Sequence, residues 1–91
     1  MDIRVVFGRN LRRHRLAAGL SQEAVAERMG VDRAHVSSME RGQQNVTLLT
    51  IWDTAQALGR RSAEFLDEDA AAAPVVSGKA AKAPRRKRTK S

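Results

Sequence analysis

The sequence has no cysteine. That excludes a disulfide framework and a thiolate metal site, and it fits a reducing compartment. Aromatic residues are scarce at 3%, while hydrophobics reach 42%. A core must therefore come from Leu, Val, Ala and Met, as in a small helical bundle. The opening MDIRVVFGRN lacks the apolar stretch of a secretory signal, and no apolar run approaches membrane-spanning length. No window alternates apolar and polar residues as a half-buried strand does, and no segment repeats. Gly-rich phosphate loops and metal-ligand spacings are missing as well. From 91 residues the expectation is one small all-α domain, cytoplasmic, with no cofactor, metal or small-molecule ligand.

Lysine is missing from residues 1–66, which hold ten arginines and seven acids, a net of +3. Acids are missing from residues 70–91, which carry seven Lys and Arg, and Asp67, Glu68 and Asp69 lie between. The total of +7 is thus concentrated at one end. A modestly basic domain with a strongly basic tail suits a polyanionic partner, although a surface kept charged for solubility fits the same numbers. The Ala run 70–73, Pro74, Ser77-Gly78, Pro84 and Arg85-Arg86-Lys87-Arg88 offer too little apolar surface to offset ordering. Residues 67–91 are accordingly expected to form a flexible, acidic-then-basic arm.

What is present centres on residues 22–41, QEAVAERMGVDRAHVSSMER. Ser21 is a good N-cap, and Glu23 sits in the first turn, where the helix dipole favours an acid. Val25, Ala26 and Met29 share one face, and Gly30 follows where a helix commonly ends left-handed. Val31 supplies an apolar plug, and Asp32 caps a second helix with Val36 and Met39 inward. Counting Gln22 as one, Ala26 is fifth, Gly30 ninth, Val36 fifteenth and Met39 eighteenth. This is the pattern of a helix-turn-helix: small where helices cross, Gly at the turn, apolar where the second helix docks.

Around it, residues 3–18 read as a first helix with Val6, Phe7, Leu11 and His14 on a stripe. Thr47 caps a fourth, with Leu48, Ile51, Ala55 and Leu58 inward and Gly59 at its end. Ser62 caps a short fifth carrying Phe65 and Leu66.

With these residues in place, residues 3–66 resemble the Cro/phage-repressor (XRE-type) helix-turn-helix regulators. GLSQEAVAERMGV, the ERG triplet at 40–42 and NVTLLTI…AQALG carry the resemblance. ERGQQNVTLL also resembles the controller proteins of restriction–modification systems. His14 stands where the family is usually aliphatic, and Arg60 where it is often apolar. The resemblance implies a compact five-helix, lambda-repressor-like DNA-binding domain over 1–66. It also implies sequence-specific binding of double-stranded DNA in transcriptional regulation, by a homodimer on a palindromic operator. Helix 33–41 would lie in the major groove.

Carried over residue by residue, Gln22 falls where the family grips a phosphate at the helix start. Arg33, Ala34, Ser37 and Ser38 match base-facing positions; an arginine fork fits guanine O6 and N7 bidentately. Arg33 is the first candidate for such a contact, with pairing to a phosphate or Asp32 as the alternative, and the two serines suit either groove or solvent. His35 reaches a phosphate or base edge, or is an ordinary surface imidazole. Arg41, Gln43, Gln44 and Asn45 form the polar loop that the family presses on the DNA backbone. Arg15 and Glu40 match a structural ion pair tying the first helix to the end of the third. Trp52, Phe65 and Leu66 suit a dimer seam; lateral packing under the fifth helix accounts for Trp52 equally well.

Two other functions compete. An enzyme would need a catalytic set, yet His14 and His35 both lie within the helix-turn-helix domain expected over 1–66, with no metal-ligand spacing or phosphate loop beside them. A protein-binding module, such as an antitoxin-like or adaptor domain, uses the same fold. The Arg/Ser/His outer face of helix 33–41, neither acidic nor apolar, points instead to DNA.

Overall fold

A computed structural model describes residues 1–73, and every element among them is helical. The order is α1 (Ile3–Ala17), α2 (Gln22–Met29), α3 (Arg33–Glu40), α4 (Leu48–Leu58), a 3₁₀ turn (Ser62–Leu66) and α5 (Glu68–Ala72). The part of the expected arm from 74 onward lies outside the described residues.

Local chemistry sets the boundaries. Asp2 begins α1 by accepting from the Arg4 amide at 2.7 Å. The Arg4 guanidinium and amide hold its exposed carboxyl down to about 2. Ser21 Oγ accepts from the Ala24 amide, and Thr47 Oγ1 from the Thr50 amide, as N-caps should. Asp32 occupies the N-cap position of α3, but its side chain makes no capping bond. Gly30 ends α2 at φ 73°, a conformation that only glycine adopts without a Cβ penalty. The chain then turns so sharply that Val31 N–H bonds back to Ala26 O at 3.0 Å.

One core gathers the elements from α1 to the 3₁₀ turn. Phe7, Leu11, Val25, Ala26, Val36, Met39, Ile51, Ala55 and Phe65 form it, closed at the edges by Leu20, Met29, Val31, Val46 and Leu58. Truncating a fully enclosed member such as Leu11 to Ala removes apolar contacts and leaves a cavity, at about 2–5 kcal/mol.

The C-terminal third differs from expectation in three places. Leu48 is 84% exposed rather than inward. It lies on the inward azimuth of α4 but a turn before Ile51, where no described element covers it. Thr54 takes the core position instead, its hydroxyl satisfied by donating to Thr50 O at 2.8 Å. The fifth element is a 3₁₀ turn preceded by Arg61, whose amide bonds to Glu64 Oε2, so Ser62 is not the cap. Finally, residues 68–72 are not part of an arm. Asp67 accepts from the Ala70 amide and starts α5, which packs on α1 with Ala71 wholly buried. Small alanines let this helix lie close against α1, so a run too short to form a core by itself is recruited by one.

Candidate nucleic-acid interface

The geometry of α3 is fixed from behind. Val36 and Met39 are enclosed, so the helical period turns Ala34, Ser37 and Ser38 outward, with Arg33 and His35 flanking them. Arg33 and Ala34 are exposed, while His35, Ser37 and Ser38 are half-buried. In the following loop Arg41, Gln43 and Asn45 are exposed and Gln44 is half-buried. None of the residues expected to meet DNA on α3 and its loop is buried in the core.

Several of these side chains bond to one another. Arg41 Nη1 donates to Ser37 Oγ at 2.8 Å, while Arg41 Nε and Nη2 both point at Gln43 Oε1 at 3.3 Å. Gln44 Nε2 donates to Ser38 Oγ at 2.8 Å. The loop is thus laced to the helix it follows rather than held apart from it.

At the same end of α3, on its inner side, Glu40 is almost sealed, with its side chain 4% exposed. It accepts from Arg15 Nε at 2.5 Å and Arg15 Nη2 at 3.1 Å, the bidentate match of guanidinium to carboxylate. Arg15 Nη1 donates to Leu20 O at 3.0 Å. Gln22 joins the pair, donating Nε2 to Glu40 Oε1 at 3.0 Å. That leaves Gln22 its carbonyl and one amide hydrogen, so its side chain is held in place at the start of α2.

Two determinants of this arrangement were not read from the sequence. Gly8 lies in mid-helix, and a Cβ there would stand 2.3 Å from Met39 O and 2.8 Å from Glu40 O. Only a hydrogen fits where α1 crosses the end of α3. A glycine inside a helical stripe is itself the signal, since it costs about 1 kcal/mol relative to Ala unless packing demands it. Asn10, wholly buried, donates Nδ2 to Phe65 O at 3.1 Å and Asp67 O at 3.0 Å, fastening the 3₁₀ turn to α1.

The seam residues separate. Trp52 is 56% exposed and lies one helical turn on from Leu48 and Leu49, which are also exposed at the start of α4. Leu66 is partly exposed. Phe65 is wholly enclosed, its ring centroid 6.1 Å from Phe7 and 5.0 Å from His14. It belongs to the core, because the 3₁₀ turn points it inward, and it has no surface to offer a second chain. His14 and Arg60, the two positions that depart from the family pattern, converge on Glu64 at 3.9 and 3.6 Å. Burial against Phe65 and the neighbouring Arg60 push the His14 imidazole below its usual range, with Arg13 acting the same way and Glu64 opposing.

Among the described residues there is no cluster of three or more His, Asp or Glu placed to hold a metal ion. No described helix is long and apolar enough to cross a membrane.

A tight helix pair with a glycine turn, an anchored second helix and an outward Arg/Ser face define a helix-turn-helix domain of the XRE type. A helix-turn-helix family model matches residues 11–66. An HTH-type transcriptional regulator of Sinorhizobium fredii is 42% identical over 66 residues, covering 72% of this chain and 86% of that protein. The control protein C.SmaI of Serratia marcescens is 43% identical over 58 residues, covering 64% of this chain and 69% of its own. Among solved structures, the restriction-modification controller protein C.AhdI from Aeromonas hydrophila superposes with a TM-score of 0.66 at 47% identity. That match covers 68% of this chain and 94% of C.AhdI. The chain belongs to the helix-turn-helix family of DNA-binding transcriptional regulators.

Proposed function

We propose that this protein is a cytoplasmic, non-enzymatic regulator that binds double-stranded DNA sequence-specifically, as a homodimer on a palindromic operator. The anchored α3 carries the proposal: its outward face is Arg33, Ala34, Ser37 and Ser38, and a buried ion pair at Glu40 fixes its angle. In this reading α3 enters the major groove with Arg33 forking onto guanine and Ala34 against a thymine methyl. Gln22, Arg41, Gln43, Gln44 and Asn45 meet the backbone, and His35 lies at the rim. Phosphate contacts set register, while the α3 side chains set sequence.

The exposed Leu48, Leu49 and Trp52 support the dimer. Large apolar groups adjacent on one helix are better covered than wet, and a second copy supplies the same patch in return. Likeness to C.SmaI and C.AhdI supports a controller role beside a restriction–modification pair. The reading unit is residues 1–66 with α5 packed beneath it, and the Lys/Arg-rich residues 79–90 add sequence-independent affinity for phosphate.

The experiment is a competition titration across single-base operator variants. Arg33→Ala should relax preference at one position in each half-site, at about 1–3 kcal/mol, whereas Gln22→Ala should weaken all sites alike. A uniform loss for Arg33→Ala removes it from base reading.

A further inference from the structure

Resting on the DNA-binding reading above, a further inference concerns the polarity of the two α3 serines. A serine hydroxyl has one hydrogen and two lone pairs, and when free it rotates to meet a donor or an acceptor. These two are not free. Ser37 Oγ accepts from the Arg41 guanidinium and Ser38 Oγ from the Gln44 amide, each at 2.8 Å. Both partners are nitrogens that only donate. Each hydroxyl hydrogen must then point elsewhere. Thr54 turns its hydroxyl back onto the carbonyl four residues earlier, at 2.8 Å; among the described residues neither Ser37 nor Ser38 donates in that way. Enclosure of Val36 and Met39 puts both serines on the outer side of the helix.

We propose that Arg41 and Gln44 are positioning residues that occupy one lone pair on each of Ser37 and Ser38 and so favour these hydroxyls as hydrogen-bond donors toward DNA. Helix α3 then selects base edges whose acceptors dominate where the serines face: guanine N7 and O6 or thymine O4. It disfavours edges dominated by the amino groups of cytosine N4 and adenine N6. Specificity at those positions comes partly from a loop that itself touches no base.

The test uses the full chain and a randomised double-stranded oligonucleotide library, followed by duplexes altered at single atoms. Ser38→Ala should abolish preference at one position per half-site. Removing the major-groove acceptor there, with a 7-deazapurine or a thymine analogue lacking O4, should weaken the wild-type protein about fivefold and leave Ser38→Ala unaffected. Gln44→Glu replaces the donor by an acceptor of the same shape and turns the Ser38 hydroxyl round. Preference at that position should move toward cytosine or adenine, whatever happens to affinity as a whole. Thermal melts of each variant establish that it is folded. Unchanged base preference in Gln44→Glu or in Ser38→Ala would overturn the proposal, as would a wild-type response to loss of an amino group instead of an acceptor. If the wild-type chain enriches no duplex over random DNA, the DNA-binding reading itself falls and takes this one with it.

Discussion

Glu40 receives three hydrogen bonds, two from Arg15 and one from Gln22, in a site closed to water. Glu40→Ala leaves the Arg15 guanidinium partly buried without its carboxylate, a loss of about 3–5 kcal/mol. Glu40→Gln keeps the shape and should lose less. A thermal melt unchanged in Glu40→Ala would show that the pair contributes nothing. His14 gives a pH signature. Its ordinary value is 6.5, and in the fold it is held lower. Between the two the unfolded chain binds more protons than the folded one, so stability rises with pH across that window. The His14 contribution is complete above about 6.5 and is lost as pH falls toward the folded value. Melting temperatures from pH 8 to 5.5 should fall more steeply for the wild type than for His14→Leu, and parallel curves would contradict this.

At the scale of elements, the crossing of α1 with the end of α3 decides where the α3 face points. Gly8→Ala pushes a methyl against the Met39 and Glu40 carbonyls, which are backbone and cannot swing aside. Overpacking should cost about 1–3 kcal/mol, against a helix-propensity gain of under about 1. Denaturant titration checks it, and a stabilised Gly8→Ala would mean that the helices separate freely. The exposed apolar residues at the start of α4 form the second element-level surface. Replacing Leu48 with Glu and Trp52 with Ala should leave the fold within about 0.5 kcal/mol but convert dimer to monomer in sedimentation and weaken palindromic binding. A variant that remains a dimer would place the seam elsewhere. The helix-turn-helix was legible in the sequence because its constraints are local: a cap at Ser21, a left-handed Gly30 and apolar residues at helical spacing. Arg15 and Glu40 were legible only through a family pattern, since nothing local pairs residues 25 positions apart. Leu48, Phe65 and Ala71 were misplaced because their burial depends on where other elements end. A helical period gives the azimuth of a side chain but not the extent of its neighbours.

For the whole molecule, charge and symmetry remain to be tested together. Truncation should fall after Ala73, since Ala71 is enclosed and an earlier cut would expose the core. Losing the seven cations of residues 79–90 should lower affinity for operator and random DNA alike. It should also make log K against log salt shallower, by about 0.9 for each phosphate released. Equal slopes for the two proteins would remove the basic residues from binding. The central claim, that two copies of α3 read DNA, is tested most directly by selecting duplexes from a random library with the full chain and sequencing what is retained. The retained duplexes should share a palindrome whose half-sites lie about one helical turn apart. Retention of no sequence above background, or of a single asymmetric site bound by one copy, would contradict it.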